Sequence, residues 1–228
     1  MPRASHSIVA RWAVGDGGLS APDGSTISED DALAAMPELG VHEVEIGSEV
    51  YEVERVGSRY CTTQDIVDYA KKNNDAFADA NEYPDDVIWS AIQAAEEAIE
   101  DGTRRSFCMR ARQITLRGSG LEELPEEDVI SLSDGTEVVN GRQALASEPA
   151  TVTMTYGAKP TESIRCACVK LAASFMRPRV GAENARGQSV EGVYISFELP
   201  TGADGSWTGL PEVDAIIERN RSRRVVIL

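Results

Sequence analysis

Hydrophobic positions change period along this chain, and each change marks a boundary. Ser28 followed by Asp31 is a cap-like pair that opens a short helix, which must stop before Pro37. Val44 and Ile46 then alternate with Glu43 and Glu45, the pattern of a half-buried antiparallel strand. A second β-prone run follows Gly47-Ser48, so Val41 to Val56 reads as a hairpin. These elements define a small β-rich N-terminal module over residues 1–60.

Helical spacing takes over next. Thr62 and Asp65 form another cap-like pair, opening QDIVDYAKKN. Pro84 suits the first helical position, and Asp85 and Asp86 suit the positive first turn. Ile88, Ile92, Ala95 and Ile99 make one helical stripe, and Gly102 is expected to be the left-handed residue that closes it. Strand patterns return in SFCMRARQITL, with Phe107, Met109 and Ala111 expected on one face, and in ATVTMTYG. Asp134-Gly135 in DVISLSDGTEVV predicts a hairpin. A helix from Glu162 to Met176 is expected to bury Ile164, Ala167, Cys168, Leu171, Ala172 and Phe175, with Pro178 as its stop. RVGAENARGQSVEG (179–192) reads as a mobile loop, VYISFEL as a strand, and Pro211 as the start of a last helix with Val213, Ile216 and Ile217 inward. The fold class expected is α+β.

Composition narrows the function classes. The 228 residues carry 38 acids against 22 lysines and arginines, a net charge of −16. That balance argues against gripping nucleic acid through a basic surface. No apolar run approaches the roughly 18 residues of a membrane span. The N-terminus lacks the apolar core and cleavage site of a secretory leader, so the chain is expected to stay in the cytoplasm where it is made. Cys61, Cys108, Cys166 and Cys168 include no C-x-x-C pair, and Cys166 and Cys168 lie on different faces of one helix; free, mostly buried thiols are expected.

No catalytic set emerges. His6 and His42 have no partners at ligand spacing, and Gly15, Gly17 and Gly18 match neither a phosphate loop nor a dinucleotide fingerprint. LEELPEED (121–128) holds enough carboxylates for a divalent metal, but such runs are usually solvated loops. No metal and no cofactor are expected, and the chain does not read as an enzyme.

Charge at one helix end raises a question of its own. Glu96, Glu97, Glu100 and Asp101 crowd the negative pole of the predicted helix 84–102, where each acid costs on the order of 0.3–1 kcal/mol. Arg104 and Arg105 follow directly and can offset both the acids and the dipole.

The order of these segments resembles the head-tail connector, or adaptor, family of tailed bacteriophages. The marks are the helix leading into T-R-R-S-F (Thr103–Phe107), the second Ile/Ala-rich helix ending in arginines, and the closing G-L-P-E-V-D helix (Gly209–Asp214). The resemblance spans about Thr62 to Leu228; the front sixty residues have no counterpart in it. It implies a connector-like domain over 61–228 with an extended C-terminal tail. It also implies a ring, commonly of twelve copies, beneath the portal protein, extending the DNA channel and presenting a platform to a stopper or tail protein. Genomic DNA would pass through without specific binding, and the protein would be part of the virion, with no membrane partner. The acids would then line a channel that repels phosphate, or keep the free chain soluble. In a ring, Arg104 and Arg105 have a second possible role, meeting Glu97 and Glu100 of the next subunit.

Arg219, Arg221, Arg223 and Arg224 precede the apolar ending Val225-Val226-Ile227-Leu228. That tail is expected to dock on the portal or a neighbouring subunit by adding a strand to a sheet edge, steered by the arginines, although a solvated helix end would have the same charges. The alternatives are a stopper or tail-completion factor, which the two long helices argue against, and an acidic metal-dependent hydrolase using the loop carboxylates. A chain beginning near Cys61 is expected to fold by itself.

Overall fold

Three three-stranded sheets, two two-stranded sheets and five helices are the regular elements among the described residues. The computed structural model describes residues 10–73, 75, 83–177, 187–190, 193–196 and 208–222. At the front lie β1 (Ala10–Trp12), β2 (Leu19–Ser20), β3 (Thr26–Ile27), α1 (Glu29–Ala35), β4 (Gly40–Ile46) and β5 (Glu49–Arg55). β4 and β5 pair antiparallel around Gly47-Ser48, from Gly40 opposite Arg55 to Ile46 opposite Glu49, and β1 joins β5 in parallel. α1 starts as expected: the Ser28 side chain accepts from the Asp31 N–H, and the helix closes at Met36, just before Pro37. Alternation puts Val44, Ile46, Tyr51 and Val53 inward, where they enclose a core with Trp12, Leu19 and Met36.

The helical layer comprises α2 (Thr63–Asn73), α3 (Asp85–Thr103), α4 (Glu162–Met176) and α5 (Pro211–Asn220). Its core is the predicted stripe of α3, Ile88, Ile92, Ala95 and Ile99, against Ile66 and Ala70 of α2, Ile164 to Ala172 of α4, and Val213 and Ile217 of α5. Thr62 and Asp65 cap α2 reciprocally.

Two details of α3 differ from expectation. Pro84 is the residue before the helix, in extended conformation, and Gly102 is inside it. The left-handed residue is Arg104 (φ 56°, ψ 35°). Gly102 serves packing instead: a Cβ there would lie 2.7 Å from Ile217 Cγ2, so its missing side chain lets α5 lie close against α3. On α4, Phe175 is 45% exposed, because the buried stripe runs through Leu171, Ala172 and Met176 and turns it outward.

Between α3 and α4 come β6 (Arg110–Arg117), β7 (Gly120–Glu123), β8 (Val129–Leu132), β9 (Val138–Val139), β10 (Gln143–Ala146) and β11 (Pro149–Tyr156). They form two three-stranded sheets, β6-β11-β8 and β7-β10-β9. Leu116, Leu124, Val129, Leu132, Val152 and Met154 belong to the core they enclose. Asp134-Gly135 does turn the chain, with the Asp134 carboxylate accepting from the Thr136 N–H, but it makes no hairpin. β8 pairs with β11 and β9 with β10, so the strands on either side of the turn belong to different sheets. Met109 precedes β6 and is 45% exposed, so the expected alternation begins only at Ala111. At the far end of β11, Gly157 has φ 109°, and a Cβ there would sit 1.9 Å from the Cys108 carbonyl oxygen.

β12 (Gly187–Val190) and β13 (Val193–Ser196) form an antiparallel hairpin. Part of the segment expected to be a loop is therefore a strand; its other residues lie outside those described. The architecture is mixed α+β. No helix among the described residues is long and apolar enough to cross a membrane.

Candidate functional site

Charged side chains gather in the interior, where the front sheet meets α3 and β6. Arg11 stands opposite Glu54 in the β1–β5 register, and Glu96 and Glu100 lie one turn apart on α3. Glu96 is 1% exposed, Arg11 and Glu54 each 5%. Arg11 Nη2 is 2.6 Å from Glu100 Oε2, its Nη1 3.5 Å from Glu96 Oε2 and its Nε 3.7 Å from Glu54 Oε2. Arg110, the first residue of β6, donates to both oxygens of Glu54 at 2.6 and 2.7 Å and to Glu100 at 3.0 Å. Arg59 donates from Nε to both oxygens of Glu96 at 3.0 and 3.1 Å, from Nη1 to the Arg11 carbonyl at 2.9 Å, and lies 4.8 Å over the Trp89 ring. Its Nη1 is also 3.5 Å from Asp16. Tyr60 closes the junction: its N–H donates to Glu96 and its hydroxyl to Glu100, while that hydroxyl accepts from the Phe107 N–H at 2.7 Å.

Three guanidiniums thus face four carboxylates in a largely buried site, with Arg110 and Glu100 at its open edge. Burial opposes the charge on Arg11, but Glu100 and Glu96 outweigh it and raise its pKa; burial likewise opposes Arg59, which Glu96 and Asp16 raise. Asp16 shows the reverse balance. Burial pushes its carboxyl up to about 6, against the opposing effect of Arg59. Burial, reinforced by Glu100, also raises the Tyr60 phenol well above its ordinary value. Arginine does not release its proton near neutral pH, and Glu96 and Glu100 are occupied by several donors each. The arrangement fits holding three segments together, with every charge answered by another.

An open cleft of about 790 Å³ adjoins this junction at the end of α3; Arg104, Arg105, Arg110, Glu126, Tyr156 and Ser222 are among its lining residues. The acids of 121–128 are tied to the protein there. Glu122 accepts from the Arg117 and Ser119 N–H groups, which lowers its pKa. Glu126 pairs with Arg112 at 2.8 Å, Glu127 with Arg142 at 3.1 Å, and Asp128 with Arg105. No cluster of metal-ligating side chains occurs among the described residues. The chain leaving α5 is fixed at the same place, where the Ser222 N–H donates to the Thr103 carbonyl at 2.7 Å and its hydroxyl contacts Glu127.

The residues singled out at the helix end are not brought together as one cluster. Arg105 belongs to Asp128, at 2.7 and 2.9 Å. Arg104 is exposed and makes no ion pair among the described residues; its backbone N–H donates to the Glu100 carbonyl. Glu97 accepts from Gln93, and Glu100 is held by Arg11 and Arg110. Arg219 is exposed on the last turn of α5, and Arg221 lies 3.4 Å from Glu218. Arg223, Arg224, Val225, Val226, Ile227 and Leu228 lie outside the described residues, as does His6. His42 Nε2 lies 2.8 Å from the Glu38 carbonyl oxygen. Gly15 and Gly17 lie in a turn in which Asp16 donates to Ala13 and the Trp12 indole to Gly17.

Sequence reasoning missed Arg11, Asp16, Glu54, Arg59 and Arg110. One signal was available. Glu96 lies four residues after Ile92 and three before Ile99, on the apolar stripe itself, where a carboxylate must find buried cations.

No described protein family and no curated protein matches the chain. Among solved structures, it is similar to a chain from the virion of a native gene transfer agent (GTA) particle, at 19% identity and a TM-score of 0.43, over 64% of this chain and 81% of that one. It is also similar to a chain from the neck of a native GTA particle computed with C12 symmetry, at 18% identity and a TM-score of 0.42, over 83% and 99% of the two chains.

Proposed function

We propose that this protein is a structural virion component, the ring-forming subunit of a head-tail connector in a tailed-phage type of particle. One observation carries the reading: each sequence mark of the connector pattern coincides with a helix or with a helix end. Thr103–Phe107 is the exit of α3 toward β6, the Ile/Ala-rich segment is α4, and Gly209–Asp214 is the entry of α5. The most elaborate polar site supports a structural role over catalysis, because its cations and carboxylates satisfy one another.

In this reading copies of the chain form a homo-oligomeric ring, a dodecamer, beneath the portal protein. The ring joins capsid to tail, presents a stopper or tail protein with a platform, and extends a channel through which genomic DNA passes without specific binding. Arg104, which has no ion-pair partner within the described chain, is the cation at the end of α3 available to a neighbouring copy; Arg105 is committed to Asp128. Arg219, Arg221, Arg223 and Arg224 with Val225–Leu228 form the docking element for the portal or the adjacent subunit.

Negative-stain microscopy of the protein mixed with portal rings tests this directly. The expected image is an added ring on one face of the portal. Portal rings that remain bare at saturating protein concentration would overturn the proposal.

A further inference from the structure

Two of the four thiols meet inside the helical core. Cys61 follows Tyr60, the residue bound to both Glu96 and Glu100, and immediately precedes the capped start of α2. Cys168 is on the buried face of α4. Their sulfurs are 3.5 Å apart although the residues are 107 positions apart in sequence, and they are 3% and 0% exposed. The other two cysteines are placed differently. Cys108 is buried beside Ser106, and Cys166 is exposed near Glu162.

We infer that Cys61 and Cys168 are a disulfide-forming pair, which a peroxide oxidises to a bond tying the ionic junction to α4. The junction of the front sheet with α3 rests on ion pairs; a covalent link from Cys61 would anchor the same segment to the second long helix. Peroxide is the oxidant whose size suits the site, since it is scarcely larger than water and the pair lies within the core.

The step balances. One thiol loses its proton and its sulfur attacks a peroxide oxygen; an S–O bond forms, the O–O bond breaks, and the departing hydroxide takes up the proton as water. The second sulfur then attacks the sulfenic sulfur; the S–S bond forms, the S–O bond breaks, and a second water leaves. Two thiols and one hydrogen peroxide become one disulfide and two waters, with two electrons passing from sulfur to oxygen. Burial, then contact with Cys61, raises the Cys168 pKa well above the ordinary thiol value, so oxidation is slow at neutral pH and accelerates as pH rises.

The test uses the full chain, fully reduced, then treated with hydrogen peroxide and alkylated in denaturant. Titratable thiols should fall from four to two, and a non-reducing digest should yield one peptide joining Cys61 to Cys168. The oxidised protein should unfold at a higher temperature, as a cross-link closing so long a loop constrains the unfolded chain, and a reductant applied in denaturant should reverse the shift. Cys166→Ser should still form the bond, and Cys61→Ser should form no internal bond. Persistence of all four thiols under conditions that oxidise a control dithiol would overturn the inference. So would unlinked, over-oxidised sulfurs, or a bond joining Cys166 of two chains.

Discussion

Glu96 shows how a single residue is constrained by its surroundings in this protein. Glu96 is 1% exposed; it accepts from Arg59 and the Tyr60 N–H, and Arg11 lies 3.5 Å away. Removing one member of such a set leaves the others buried without compensation, so Glu96→Gln should cost about 3–5 kcal/mol in urea unfolding. Asp16 responds to pH. Its carboxyl is raised from 3.8 to about 6, so the folded chain binds that proton more tightly than the unfolded one. The stability this contributes is fully present below pH 3.8 and is lost as pH rises through about 6. Asp65 and Glu122 are lowered and act in the opposite sense, weakening the fold as pH falls, so total stability does not isolate Asp16. The stability of the wild type minus that of Asp16→Asn should therefore increase as pH falls across that window, and a flat difference would reject the assignment. At the end of α3, Gly102→Ala gains about 1 kcal/mol of helix propensity but places a methyl against Ile217, with an overpacking cost of about 1–3 kcal/mol, so net destabilisation is expected. Arg104→Gly removes a left-handed non-glycine residue and should stabilise the monomer by about 0.5–1 kcal/mol, while weakening ring assembly if Arg104 serves a neighbour.

Elements were more legible than their partners. Ser28 and Asp31, and Thr62 and Asp65, mark helix starts because caps are local hydrogen bonds among residues three apart, and Pro211 does so because its fixed φ and missing N–H suit a first helical position. Asp134-Gly135 marked a turn for the same reason, but turn chemistry does not choose which strands pair across it. Here the chain passes from one sheet to the other, a choice made by Val129, Leu132 and Val138 joining a shared core. The front unit raises the same issue on a larger scale. Its own core makes residues 10–55 look separable, yet Arg11, Glu54, Arg59 and Tyr60 are the partners of Glu96, Glu100 and Arg110. A chain beginning at Cys61 would take from Glu96 its cations Arg11 and Arg59 and from Arg110 its partner Glu54, and would uncover the side of α3 and β6 on which the front sheet rests. It should lose the single cooperative unfolding transition of the full chain, as followed by circular dichroism against urea; an unchanged transition would show the front unit to be autonomous.

At the scale of the whole molecule, the net charge of −16 opposes close packing of identical copies, and any ring must place its cations at the contacts. Most arginines among the described residues are already committed to acids of the same chain: Arg11, Arg59 and Arg110 to the junction, Arg105, Arg112 and Arg142 to the loop acids, Arg165 and Arg177 to α2 and its flank. Arg219, exposed on the last turn of α5, and Arg104 make no ion pair among the described residues and are cations the proposed docking can draw on there. Removing Val225 to Leu228 should abolish portal binding and leave the thermal unfolding of the monomer unchanged. Neutralising Arg219, Arg221, Arg223 and Arg224 should weaken binding and flatten its dependence on salt. Portal binding by the truncated chain with unchanged affinity would move the interface to α3 and α4.

The sequence by itself determined where the helices lie, the caps of α1 and α2, the buried stripe of α3, the first hairpin and the α+β class, because each depends on residues within a few positions of one another. It determined the overall charge as well. Tertiary structure decided which strands share a sheet, why Gly102 lacks a side chain, and which cations answer Glu96 and Glu100. Glu96 and Glu100 are neutralised from β1, β6 and the segment after β5, not by the arginines that follow them. Ion pairing depends on distance in space, and periodicity along the chain holds no record of which distant segment folds back to supply the opposite charge.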